Sequence, residues 1–135
     1  MRFLLGDLSV GHPMFRVSSS MPVLLPQVAS VLQANVHEAA IVERDALARA
    51  GRGDSHRIRE SFKACVLQER PDFVVFDIRD ESWAYALEMM AAAKSVLNNV
   101  RVLAVGRLPA LCPGECLENA PELDGVIVGE PELPL

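Results

Sequence analysis

Residues 71–77 read Pro-Asp-Phe-Val-Val-Phe-Asp, and the four apolar positions inside that stretch leave few folds open. A run this short, β-branched and aromatic, with no polar residue alternating through it, suits a strand covered on both faces. Such strands lie inside parallel sheets with helices packed above and below. Pro71-Asp72 opens the run and Asp77-Ile78-Arg79-Asp80 closes it. Asp77 then stands at the strand's carboxyl end, the edge at which open α/β sheets take their ligands.

The rest of the chain repeats the theme. A first strand is expected over residues 2–8, centred on Phe3-Leu4-Leu5 and closed by Gly6-Asp7. A polar loop to about Ser20 follows, longer than a strand-to-helix connection needs. Ser20 is placed to cap a helix near Met21-Pro22, with Met21, Leu24, Leu25, Val28 and Leu32 at helical spacing; Pro26 moves its start toward Leu25. A second strand is read over residues 36–42, with 39–42 as its buried part, then a charged loop over 43–53 that has room for one helical turn at 46–50. Asp54 or Ser55 caps the next helix, which shows Ile58, Phe62, Cys65, Val66 and Glu69 along its faces and ends before Pro71.

After the central strand, Glu81-Ser82 opens a helix carrying Trp83, Ala86, Leu87, Met90, Ala93 and Leu97, ended by Asn98-Asn99. Strands over 100–105 and 125–128 flank a short helix over 113–119. Strands alternating with crossover-length segments imply a five-stranded parallel sheet with helices on both faces, flavodoxin-like and Rossmann-like, in the order 2-1-3-4-5. In that order the loops after Asp7 and Asp77 face one crevice, with the loop after Gly106 beside them.

Composition narrows the partners. With 135 residues, half of them apolar, the chain is expected to be one globular domain over residues 1–135. A net charge of −5 argues against a nucleic-acid surface. The uncharged stretch 17–36 holds two prolines and several polar residues, so it is a poor membrane span, and no signal peptide is expected after Arg2. Three cysteines without a disulfide pattern suit a reducing cytoplasm.

No nucleotide-binding glycine fingerprint and no phosphate-binding loop is present. Asp7 and Asp77 invite comparison with phospho-acceptor receiver domains, but that chemistry needs a lysine after strand five, where Gly129-Glu130 stands instead. Cys112-Pro-Gly-Glu-Cys116 offers two thiols where a metal or iron–sulfur site needs more, and Pro113 has the look of a helix start; structural cysteines are the expectation. Of the histidines, only His12 falls in the expected ligand loop, and neither a catalytic residue nor a protein metal ligand is assigned.

Taken in order, Val-Leu-Leu-Pro-Gln-Val-Ala-Ser-Val-Leu after Pro22, Val36-His37-Glu38, Pro71-Asp72, Val105-Gly106-Arg107-Leu108-Pro109 and the closing Asp124-Gly-Val-Ile-Val-Gly129-Glu130-Pro-Glu132 resemble the amino-terminal cobalamin (B12)-binding domain of B12-dependent radical SAM enzymes. The resemblance implies a corrinoid across the carboxyl edge of the sheet, held by Asp7, Leu8, Ser9, Gly11, Asp77, Ile78, Arg79, Gly106, Arg107, Leu108, Gly129 and Glu130. Ser9 stands where other B12-binding domains carry a cobalt-ligating histidine, so the resemblance implies binding without one; Arg107 replaces a second glycine after strand four. The iron–sulfur cluster and S-adenosylmethionine would belong to a partner radical SAM domain in a longer parent chain, leaving this module non-catalytic in isolation. The alternatives are a degenerate domain of the same fold used in protein interaction or ligand sensing, and, third, a receiver-like domain.

Overall fold

The computed structural model describes residues 1–7, 24–43, 54–79 and 82–129. Five parallel strands, β1 (Arg2–Asp7), β2 (Glu38–Glu43), β3 (Phe73–Asp77), β4 (Arg101–Val105) and β5 (Gly125–Val126), form one sheet in the order β2-β1-β3-β4-β5. The helices are α1 (Leu24–Ala34), α2 (Ser55–Glu69), α3 (Trp83–Val96), α4 (Arg107–Leu111) and α5 (Pro113–Asn119). The expected flavodoxin-like α/β architecture and strand order are therefore present.

The period of two along each strand divides the core. Phe3, Leu5, Val75 and Val105 point to one face, where Leu25, Val28 and Leu32 of α1 cover them. Leu4, Val74, Phe76, Val102 and Ala104 point to the other, against Phe62 and Val66 of α2, Met89, Met90 and Ala93 of α3 and Cys116 of α5. Val74, Val75 and Phe76 are wholly inaccessible, which is why β3 tolerates no polar residue between Phe73 and Asp77.

The sheet's margins differ from expectation. Val36 is not in β2: it occupies the left-handed turn that ends α1, with φ 65° and 92% of its surface exposed. Val36 N–H donates to the Gln33 carbonyl and His37 N–H to the Leu32 carbonyl, the paired bonds that terminate a helix through a left-handed residue. Ala39, Ala40 and Val42 are only partly buried and Ile41 is exposed, because β2 has β1 as its one strand neighbour among the described residues. At the other margin the ladder is short. Ile127 N–H still reaches the Ala104 carbonyl at 2.9 Å, but Ile127 is half-buried, not covered, and Val128 is exposed.

Two aspartates tie the amino ends together. Asp72 accepts from Arg2 N–H through its carboxylate, donates its own N–H to the Arg2 carbonyl and accepts Arg101 N–H on its carbonyl, joining β1, β3 and β4. Asp124 accepts from Val102 N–H at 2.7 Å and from Lys94 Nζ at 2.6 Å, fixing the entry to β5 against β4 and α3. At the start of α2, the Asp54 carboxylate caps the N–H groups of His56 and Arg57, as the sequence indicated. The helix α4 was not expected. Pro109 is its third residue, where a missing N–H costs no helical bond, and Ala110 N–H closes the first turn onto the Gly106 carbonyl. The one-turn helix considered at 46–50 lies outside the described residues.

Candidate functional site at the carboxyl edge of the sheet

The strand register brings Asp7 opposite Asp77 and Asp77 opposite Val105, so the ends of β1, β3 and β4 are level. Beyond them the chain continues to pair: Ile78 N–H donates to the Val105 carbonyl at 2.9 Å, and Leu108 N–H donates to the Ile78 carbonyl at 3.3 Å. The loops leaving β3 and β4 are thus knitted together, and Ile78 is wholly inaccessible between them. The Asp77 side chain, 6% exposed, is packed into the same junction.

Gly106 makes that junction possible. Its φ of 102° disfavours a side chain, and a Cβ there would meet the Asp77 carboxylate and the Ile78 backbone. Gly6 allows a similar approach in the neighbouring strand β1, where a Cβ would fall 2.7 Å from the Phe76 ring. Gly129, also at positive φ (99°), faces open space. Gly6 and Gly106 therefore serve close packing, and Gly129 alone of the three leaves open space, after β5.

Of the residues expected to face the ligand, Asp77, Ile78, Arg79, Gly106, Arg107 and Leu108 come together around the β3–β4 junction, and Gly129 follows β5. Arg79 and Leu108 are half-buried and Arg107 is exposed as the first residue of α4. Leu8, Ser9, Gly11, Glu130 and the side chain of Asp7 lie outside the described residues. Sequence reasoning missed Ser82. This wholly buried serine accepts Arg79 N–H at 3.0 Å and donates to the Arg79 carbonyl at 3.0 Å, holding the β3 loop in a closed turn before α3. Its signal was the hydroxyl residue three positions after Arg79, read only as a helix start.

The remaining reactive side chains sit elsewhere. Cys116 is buried against the core, and that burial, reinforced by the neighbouring Cys112 thiol, pushes its pKa up to about 11. Cys112 Sγ donates to the Leu108 carbonyl at 3.3 Å. Among the described residues no cluster of three or more His, Cys, Asp or Glu is placed to hold a metal ion. His37 packs beside Phe3 at the amino end of β2, and His56 is exposed beside Arg59. A cleft of about 760 Å³ lined by Met1, Arg70, Asp72, Asn98 and Arg101 opens at the opposite, amino edge and includes none of the expected ligand residues. No helix among the described residues is long and apolar enough to cross a membrane.

An open parallel sheet in the order β2-β1-β3-β4-β5, with its switch point between β1 and β3, is the architecture of α/β domains that take ligands at the carboxyl edge. The family model for the B12 binding domain matches residues 19–135, and the chain belongs to that family. No curated protein and no solved structure matches it. Membership makes a corrinoid the ligand class. An amide-edged macrocycle would find open space at Gly129 and accessible polar groups in the half-buried Arg79 and the exposed Arg107, while Gly6 and Asp77 are buried within the sheet and its β3–β4 junction.

Proposed function

We propose that this chain is a cobalamin-binding module that performs no chemistry alone and serves a radical SAM catalytic domain in a longer parent. The observation that carries the binding reading is the β3–β4 junction, where Gly106 lies against Asp77 and Ile78 at the ligand edge of a B12 binding domain. Arg79, Gly106, Arg107 and Leu108 would meet the corrinoid, with the buried Asp77 and Ile78 supporting them from within the junction, joined by Asp7, Leu8, Ser9 and Gly11 from the first loop and by Gly129 and Glu130. When bound, the cobalt centre supplies one-carbon or redox chemistry; the protein's task is to hold the ring and exclude competing contacts.

Ser9, in place of a histidine, supports a corrinoid held without a protein imidazole on cobalt. Hydroxocobalamin at saturating concentration should raise the melting temperature, since a ligand bound to the folded state alone stabilises it by mass action. His12→Ala should leave both that shift and the visible corrin spectrum unchanged. Loss of the bound spectrum in this variant would place His12 on the cobalt. Absence of any shift or spectral change in the wild type at millimolar corrinoid would sink the binding reading and favour an interaction module of the same fold. The radical SAM connection rests on the closing Asp124-Gly-Val-Ile-Val-Gly129-Glu130-Pro-Glu132. A Cys-x-x-x-Cys-x-x-Cys segment encoded in frame beyond Leu135 would support it, and a stop codon there would overturn it.

A further inference from the structure

The cleft of about 760 Å³ at the amino edge takes no part in the corrinoid reading. Phe73 lines it and packs with the core on the α1 face, while Val96 and Leu97 line it and pack with the core on the other face. Its apolar wall is thus fixed from both sides of the sheet. Polar groups stand around that wall. Val100 N–H closes a turn onto the Leu97 carbonyl at 3.2 Å, and the N–H groups and carboxamides of Asn98 and Asn99 in that turn have no hydrogen-bond partner among the described residues. Arg101 lines both this cleft and a recess of about 380 Å³ beside it. Its Nη1 lies 3.6 Å from Asp124 Oδ1, beyond hydrogen-bond length, because Lys94 already holds that carboxylate at 2.6 Å; the Arg101 side chain stays 67% exposed. Arg70 joins the lining from the end of α2, with φ 44° and ψ 56°, left-handed values that glycine adopts at lower cost. Cleft and recess carry Arg70, Lys94 and Arg101 against Asp72 and Asp124, one positive charge in excess within a chain of net charge −5.

We infer that this cleft is a second ligand site, taking a small organic monocarboxylate with its apolar body on Phe73, Val96 and Leu97 and its carboxylate between Arg101 and the Asn98–Asn99 turn. Fixed apolar walls with a few convergent polar groups, at this volume, are the form of a small-molecule pocket. A carboxylate accepts both N–H donors of a guanidinium fork and accepts amide N–H groups besides. One negative charge matches the excess in the cleft. A phosphate monoester carries close to two, and the second would meet Asp72 and Asp124. Arg70 adds its charge to the same cleft, and its left-handed backbone is a cost that the chain bears there instead of placing glycine. The site lies at the amino ends of β3 and β4, opposite the Gly106 junction, and stands independently of the corrinoid reading.

The test titrates the full isotope-labelled chain at low salt with benzoate, with its neutral isostere benzamide and with phenyl phosphate, read by backbone amide chemical shifts. Benzoate should move the Asn98, Asn99 and Arg101 amides with a dissociation constant of about 1 mM, the affinity open to so small a ligand. Benzamide should bind at least about tenfold more weakly. Arg101→Ala, at an exposed side chain, should weaken benzoate about tenfold, and Arg101→Lys should keep part of the affinity because a charge remains without the fork. Arg70→Gly should weaken benzoate severalfold without lowering the urea midpoint, since glycine takes the left-handed backbone freely. Equal binding of benzoate and benzamide would overturn the carboxylate, and tighter binding of phenyl phosphate would overturn the single charge. Shifts centred on Ile78 and Gly106 would overturn the location, and full affinity in Arg101→Ala would overturn the contact. No shift with benzoate at about 20 mM would overturn the site itself and leave the corrinoid reading standing.

Discussion

Gly106 closes over the carboxylate of Asp77 with no room for a methyl group between them, and a Cβ on Gly106 would also come within 2.9 Å of the Ile78 carbonyl oxygen. The contact joins the ends of β3 and β4 at the point where the ligand is expected, so packing and function constrain the same residue. At φ 102° any L side chain is strained besides being obstructed. Gly106→Ala should lower unfolding free energy by about 1–3 kcal/mol, as residues forced into sparsely populated backbone regions do. Urea denaturation measures it; an unchanged midpoint would mean that the junction is looser than the Gly106–Asp77 approach implies.

Val75→Ala tests the other kind of constraint. Val75 is inaccessible on β3 and packs with Phe3, Leu5, Val28 and Val105 on the α1 face. Removing two buried methyl groups should cost about 1–3 kcal/mol, seen as a lower denaturation midpoint without a change in its slope. A cost near zero would contradict a sheet covered on both faces.

These two residues mark what was legible in the sequence. Val75 belongs to a continuous apolar run, and such runs announce buried parallel strands whatever lies around them. The central strands β1, β3 and β4 and their order could therefore be read. The margins could not, because burial on an edge strand depends on what lies next to it: Ile41 and Ile127 have the same composition as core residues and are left partly open. Gly106 was readable as the end of a strand and as a residue of the ligand crevice, but not as the close contact of Asp77. The space a Cβ there would need is filled by Asp77, which the chain brings close only after folding through α3. Helix α4 was hidden by Pro109, a residue that breaks helices except within a first turn, and α4 is little more than a first turn. Val36 in a left-handed helix end is the reverse case, a β-branched residue where glycine is usual, and nothing in its surroundings explains the choice.

The Asp124 site predicts an acid limb to stability. Burial raises the Asp124 pKa, but the hydrogen bonds from Lys94 Nζ and Val102 N–H, with the charges of Lys94 and Arg101, outweigh it and leave the carboxyl below its ordinary value. A depressed folded-state pKa gives stability that is fully present above the unfolded value, near pH 4, and is lost as pH falls through the folded value. Asp124→Asn should remove about 1–3 kcal/mol at neutral pH and flatten the acid limb below about pH 4. A variant that keeps the wild-type pH profile of unfolding would show that other carboxylates carry that limb.

The thiols should separate by reactivity. Cys116 is 2% exposed and its pKa is raised to about 11, so little thiolate forms at pH 8. Cys65 is also raised, by burial and then by Glu69, but remains partly exposed on α2. With a disulfide reagent at pH 8 in native buffer, Cys116 should be the last of the three to react and should do so at the rate of global or local opening. Labelling of Cys116 as fast as Cys65 would contradict its place between α5 and the core.

Asp77 separates corrinoid binding from phosphoryl transfer, the other chemistry its position invites. An acceptor carboxylate must be reachable in line by a phosphoryl donor, and the charge that develops needs a metal and a nearby cation to stabilise it. Here the carboxylate is 6% exposed beneath Gly106. Lys94 cannot serve, because its ammonium is committed to Asp124 and the Val100 carbonyl at the amino end of β4, while Asp77 ends β3 at the opposite edge. A five-residue strand spans roughly 13 Å, several times a hydrogen-bond length. Incubation with acetyl phosphate and magnesium should therefore leave the mass of the wild-type chain unchanged. Asp77→Asn, which removes a buried charge but keeps its shape, should behave identically in that assay and differ only in stability. Stoichiometric phosphorylation of the wild type, abolished in the Asn variant, would show that the edge opens enough to admit a phosphoryl donor and would make the receiver chemistry the better reading.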